Sequence, residues 1–343
     1  MKRLVWALVL PIMSQAANYS ARKTVIDGFE TVQLADRAHG IEVSIVPSIG
    51  NIAYAMSVHG KNILWFPFKS LPEMKAKPVL CGVPFLAPWA NRFDQDAYYA
   101  NGKKYLLNAE LGNLRRDPNK NPIHGLLLFS PHWKVMKIEA DSESARVTSR
   151  LEFWRYPDLM AQFPFAHSIE MTHRLRDGAL EVETALENQS SEPMPVAVGF
   201  HPYFQVPDTP RDQWKVHVAA REHLELLPNL TPSGARTPVT LPDPAPLATT
   251  PLDDVFTNLV RGQDERAEFW VESGGRKISV IYGPKYTIAI VYAPPGKDFI
   301  CFEPMSAITN AFNLAHAGVY KELQSIPPGG NWRESFWIVP AGF

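Results

Sequence analysis

The sequence predicts an all-β protein built as a large antiparallel β-sandwich, and three observations carry that reading. Short runs of alternating apolar and polar residues recur from Ile41 to the C-terminal region, the period at which side chains alternate across a strand. Thirty-one prolines and 20 glycines punctuate these runs, which suits many short strands joined by turns and works against long helices. Apolar residues at helical spacing are almost absent. With 343 residues, 45% hydrophobic and 20% charged, the chain can bury a full core.

The elements follow in order. Met1 to Ala17 sets Lys2 and Arg3 ahead of the apolar run Leu4 to Met13 and the small residues Ser14, Ala16 and Ala17. It reads as a secretory signal peptide: the run is too short to span a bilayer as a helix and contains Pro11. The expectation is an exported protein, periplasmic or secreted, with residues 18–343 as one domain and no membrane contact once the leader is removed. Ile41 to Val46 alternates, Gly50 breaks the pattern, and Asn51 to His59 resumes it before Gly60. Trp133 to Glu139 and Ala145 to Trp154 read as strands. His167 to Arg176 and Ala179 to Glu187 flank Asp177-Gly178, a dipeptide that tolerates positive φ, and so predict a hairpin. Further strands are expected at Pro195 to Phe200, Trp214 to Ala219, Ala267 to Glu272, Lys277 to Tyr282, Thr287 to Tyr292, Phe299 to Glu303 and Glu334 to Val339. The proline-dense stretch Pro228 to Leu252 reads as a surface excursion of the same domain.

Charge and cysteine content narrow the function classes. Thirty-four Lys and Arg against 35 Asp and Glu leave a formal charge of -1, so nothing marks a grip on a phosphate backbone and nucleic acid is not expected as a partner. Cys81 and Cys301 are too few for a disulfide framework and read as core residues. No CxxC or HExxH spacing is present, so no metal site is expected. The oligomeric state is not legible.

Four clusters place polar groups among apolar and aromatic neighbours, the composition of a small-molecule pocket. The segment Gly82 to Phe93 ends in Asn91-Arg92-Phe93, whose Asn and Arg can present donors to ligand oxygens; an Arg paired with a surface acid is its bland alternative. His124 precedes Gly125, which lets another backbone group come close. His201 stands at the end of a strand-like approach because Pro202 removes the next ladder donor. Glu303 is the only carboxylate of an apolar strand, where burial makes a better base. Sugars present clustered hydroxyls and an apolar ring face, so Arg, Asn, His and carboxylates beside aromatic platforms such as Trp89, Tyr203 or Trp65 suit a carbohydrate. An acid and a base on one bound sugar suffice for proton transfer without metal or cofactor.

At these clusters, and at Leu252-Asp253-Asp254-Val255-Phe256, the sequence resembles the aldose 1-epimerase (galactose mutarotase) family, with the motifs in the family's order along most of the chain. The resemblance implies a galactose mutarotase-like β-supersandwich and a cofactor-independent isomerase that interconverts the α and β anomers of a free monosaccharide. It implies His201 as general acid and Glu303 as general base. Arg92, with Asn91, would hold the sugar hydroxyls, His124 would contact the sugar near its ring oxygen, and Asp253, or Asp254 on a one-residue slip, would bind further hydroxyls. Met305 after Pro304 and Gln205-Val206-Pro207 after Phe204 depart from the family's usual residues and leave the preferred sugar open. From ordinary pKa values of about 4.3 and 6.5, the pair is expected to need little tuning to stand with Glu303 ionised and His201 protonated.

Three other readings stay in view. A hexose-6-phosphate 1-epimerase would need extra cations, for which Arg115 and Arg116 are the nearest pair, though a solvated loop is the plainer role for both. A glycoside hydrolase would pair Asp253 with Glu303. A non-catalytic carbohydrate-binding protein of the same fold is the third. Histidines outside the clusters read as surface or core polar groups.

Overall fold

The computed structural model describes residues 17–343. The leader reading, apart from Ala17, therefore lies outside the described residues. Within them the chain is a stack of antiparallel sheets. Tyr19–Ile26, Phe29–Asp36, Ile41–Val46, Ile52–Val58 and Lys61–Asn62 form a five-stranded sheet in chain order. A nine-stranded sheet runs Ala245–Pro246, Lys215–His217, Ala267–Ser273, Arg276–Tyr282, Asn331–Ala341, Ala179–Asn188, His167–Arg176, Ala145–Glu152 and Lys134–Ala140. An eight-stranded sheet runs Pro232–Pro238, Ala220–Leu226, Leu252–Leu259, Ile288–Ala293, Ile300–Met305, Gly199–Phe200 and Phe85–Leu86, with Tyr203–Phe204 also paired to Ile300–Met305.

The two large sheets meet through aromatic side chains, Phe269 against Phe302 at 6.4 Å and Phe200 against Phe336 at 4.8 Å between ring centroids. One buried apolar cluster extends from Tyr19 to Ile338, and its removal from water supplies the main drive for the sandwich. The expected hairpin is present. Asp177 and Gly178 both take positive φ, 48° and 76°, the turn whose twist matches two antiparallel strands, and Arg176 faces Ala179 across it. Asp27-Gly28 and Asn101-Gly102 make the same connection between strands that alternation does not reveal.

The structure corrects the reading of Pro228 to Leu252. Pro232–Pro238 is a strand at the edge of the eight-stranded sheet, and Ala245–Pro246 is one at the edge of the nine-stranded sheet. An edge strand leaves one row of N–H groups unused, so proline is tolerated there. Among the described residues α-helix is confined to three six-residue turns, Leu71–Ala76, Pro157–Gln162 and Ala311–His316. None of the described helices is long and apolar enough to cross a membrane. Cys81 and Cys301 are buried and unbridged.

Candidate active site

The eight-stranded sheet positions the chemistry. Its register sets Asp253 opposite Tyr292, Tyr292 opposite Cys301, and Cys301 opposite Tyr203. Directly opposed residues share a face, so these four side chains form one row, and Glu303, two residues beyond Cys301, lies on the same face. Phe302 turns the other way, into the nine-stranded sheet. All six residues of Ile300–Met305 are buried, which makes Glu303 a carboxyl enclosed by protein. Asp254 falls off this face and pairs with His223 at 3.6 Å, so the register favours Asp253 over its neighbour.

His201 reaches Glu303 from the short strand Gly199–Phe200. The His201 N–H donates to the Pro84 carbonyl at 3.0 Å and the Tyr203 N–H to the Gly82 carbonyl at 2.8 Å, so the segment before Phe85 fixes both sides of Pro202. The result places His201 Nε2 3.2 Å from Glu303 Oε1, with side chains 8% and 3% exposed. The imidazole stacks on Tyr203 at 4.7 Å and meets the His124 ring edge-on at 5.6 Å. Exposure rises from this buried pair to partly exposed Arg92 and Tyr292 and to exposed Asp253.

Arg92 is fixed by two acceptors. Its Nε donates to Asp117 Oδ2 at 2.7 Å and its Nη1 to Asn91 Oδ1 at 2.8 Å. The bland expectation of a surface acid is thus replaced by a buried one, Asp117, whose side chain is 1% exposed. Sequence reasoning missed Asp117: it lies 25 residues away in an irregular segment that carries no periodic signal. Asn91 spends its side-chain oxygen on the arginine, which makes it an orienting partner of Arg92.

His124 is tied to the same loop, its N–H donating to the Asn91 carbonyl at 2.8 Å. The next residue explains the close fit. The N–H groups of Leu126 and Leu127 both reach the Ala87 carbonyl, at 2.7 and 3.1 Å. Gly125 has φ 65°, and a Cβ there would be driven into the Ala87 carbonyl and lie 2.9 Å from the Trp89 oxygen. We expect Gly125→Ala to lower stability by about 3 kcal/mol or more, since left-handed strain and a backbone collision add. Urea unfolding measures this, and a loss under 1 kcal/mol would show that the loop yields.

The aromatic expectations divide. Trp65 stacks on Tyr203 at 5.6 Å and packs on Phe299 at 4.7 Å, and Tyr292 joins them 5.9 Å from Phe299. These rings wall the pair on one side. Trp89 does not serve as a platform. It is 1% exposed and packs on Phe93 at 4.8 Å in the core.

The protonation expectation is reversed. Burial pushes the Glu303 carboxyl well above its ordinary range, the charge of Asp253 adding to the rise and Arg92 opposing it. Burial takes His201 down to about 3, with the charge of Arg92 a further lowering influence. His124 is lowered well below 6.5, first by burial and then by the fields of His201, Arg92 and Arg115. The pair is therefore a neutral carboxylic acid beside a neutral imidazole, because desolvation penalises both charges. Partial desolvation by neighbouring groups also raises Asp253.

Fold and geometry together define a β-sandwich protein with an enclosed imidazole–carboxyl pair beside a fixed arginine. Residues 32–338 match the family described as aldose 1-epimerase, and the chain belongs to that family, whose enzymes are isomerases acting on sugars. Among solved structures it is similar to a galactose mutarotase-like protein from Clostridium acetobutylicum, 21% identical over 95% of this chain and 99% of that one, with a TM-score of 0.84. It is also similar to a protein from Synechocystis sp. PCC 6803, 25% identical over 93% and 98%, TM-score 0.72. A third is galactose 1-epimerase from Lactobacillus acidophilus NCFM, 15% identical over 95% and 99%, TM-score 0.71. These likenesses establish a galactose mutarotase-like fold.

Proposed function

We propose that the protein is an aldose 1-epimerase that interconverts the α and β anomers of a free aldose by opening and reclosing its ring, with no metal or organic cofactor. The observation that carries this reading is the 3.2 Å approach of His201 Nε2 to Glu303 Oε1. Ring opening removes a proton from the C1 hydroxyl and delivers one to the ring oxygen. Both oxygens are bonded to the same carbon, so acid and base must stand side by side. The neutral pair holds one transferable proton, the number the reaction needs. With the sugar bound, that proton passes from Glu303 to His201; Glu303 then takes the C1 hydroxyl proton as His201 protonates the ring oxygen. The aldehyde rotates about C1–C2 and recloses on its other face. Arg92, held by Asp117 and Asn91, grips hydroxyls together with His124 and Asp253, which keeps both transfers aligned. The Trp65–Tyr203 wall supports the apolar ring face.

The partner against Glu303 is an imidazole and not a second carboxylate, which favours ring opening over glycoside hydrolysis. The retention of both proton-transfer groups in a buried pair favours an enzyme over a carbohydrate-binding relative. Arg116, one of the cations a sugar phosphate would need, is held by both oxygens of Asp96 at 2.7 and 2.9 Å. The leader supports export to a periplasm or beyond, leaving residues 18–343 as one domain. Polarimetry tests the main reading. Residues 18–343, purified and assayed with a chelator, are expected to speed the optical-rotation change of freshly dissolved α-aldoses. A rate equal to the spontaneous one with every aldose would overturn it.

A further inference from the structure

We propose that Tyr292 is a specificity-determining residue whose phenol hydroxyl, together with the Asp253 carboxylate, reads one hydroxyl group of the bound aldose. This rests on the mutarotase reading and deepens it by naming a feature that a preferred sugar must carry. Tyr292 lies in none of the motifs that mark the site in sequence; the sheet register puts it there. It stands directly opposite Asp253 on one neighbouring strand and Cys301 on the other, so these side chains share the site face. Glu303 is its diagonal neighbour on that face, within reach of an aromatic side chain. The ring meets His201 edge-on, 6.2 Å between centroids at 81°, and lies 5.9 Å from Phe299. Tyr292 therefore stands between the buried acid–base pair and exposed Asp253, and an aldose that reaches both must pass across it.

Accessibility singles out this phenol. Tyr203, the other tyrosine of the row, is 5% exposed and stacked on His201, whereas Tyr292 is partly exposed. Among the described residues the Tyr292 hydroxyl makes no hydrogen bond and the Asp253 carboxylate has no partner, His223 being taken by Asp254. The two groups are complementary. A carboxylate only accepts; the phenol, held above its ordinary pKa by burial and then by the charge of Asp253, keeps a proton to donate. One sugar hydroxyl satisfies both, donating to Asp253 and accepting from Tyr292. A sugar with hydrogen at that carbon leaves a carboxylate and a phenol facing C–H, and a site built around a hydroxyl rejects the analogue that lacks it.

The test measures kcat/KM by polarimetry for D-glucose, D-galactose and their 2-, 3-, 4- and 6-deoxy derivatives on the wild type and Tyr292→Phe, with calorimetric binding of the same sugars. In the wild type, one deoxy position is expected to lower kcat/KM by about tenfold or more, the worth of a hydrogen bond to a charged group. Tyr292→Phe keeps the ring and is expected to cost the parent sugar about fivefold, through KM with kcat nearly kept. It should cost that one deoxy sugar less than about twofold, because the group it would read is already gone. A merely structural tyrosine would lower every sugar by one common factor. That uniform loss, or no loss in turnover or binding for any sugar, overturns the proposal. Binding separates the two layers. A Tyr292-dependent preference among bound sugars without turnover of any of them sinks the mutarotase reading alone, and turnover with a uniform or absent effect of Tyr292→Phe sinks this one alone.

Discussion

Glu303→Gln is expected to slow mutarotation by about 100- to 10,000-fold, the usual worth of a positioned proton transfer, while sugar binding persists. Glutamine keeps the size and hydrogen-bonding edge of a neutral carboxylic acid but cannot give up or accept the proton. His201→Asn is expected to lose a similar factor, and the double variant little more, because two halves of one transfer are not additive. Stability separates this from a structural role. The folded-state pKa of Glu303 is raised, so its burial opposes folding as pH climbs past the ordinary carboxylate value toward the raised one, and is harmless below it. Removing the titration should leave Glu303→Gln at least as stable as the wild type at pH 7. Polarimetry and urea unfolding on the same preparations decide the matter. A variant that is both slow and unfolded would assign Glu303 to the core, and one with full activity would remove it from the chemistry.

Much of the architecture was legible because strands carry their own period. His167–Arg176 and Ala179–Asn188 are buried on alternate faces and joined by Asp-Gly, so pattern and turn agree. Tyr19–Ile26 escaped because most of it is exposed or partly so and it carries Arg22 and Lys23 in sequence. Ile300–Met305 has no alternation, being buried on both faces, and what marked it was the single acid inside it.

The site divides along the same line. Asn91, Arg92, His124, His201, Asp253 and Glu303 lie within two residues of Gly, Pro or aromatic residues that a sequence displays, and the structure gathers them around one sheet face or within electrostatic reach of it. The partner of Arg92, the loss of Trp89 to the core and the inverted protonation of the acid–base pair depend on distances between remote segments. No local pattern encodes them.

Burial of histidines yields the second large effect, an acid-labile fold. His167 and His173 are driven to about 4 and His201 to about 3, all by burial, and His124 well below 6.5. Each is neutral when folded and takes a proton near pH 6.5 when unfolded. A lowered histidine therefore stabilises the fold fully above 6.5, and that contribution drains as pH falls until the folded value is reached. The slope is about 1.4 kcal/mol per pH unit for each histidine. Four acting together would remove more than about 5 kcal/mol per unit, against a usual total of about 5–15 kcal/mol. The raised Glu303 and Asp253 work in the opposite direction, but they are two groups against four. Urea unfolding free energy should thus drop steeply between pH 7 and pH 5. His173 offers the control: both its ring nitrogens lack partners and it lies in the core away from the pair, so His173→Leu should flatten the slope by about one proton. A stability curve level from pH 7 to pH 5 would mean that these imidazoles are hydrated in solution. The dry surroundings that hold His201 neutral beside Glu303 would then be lost with it.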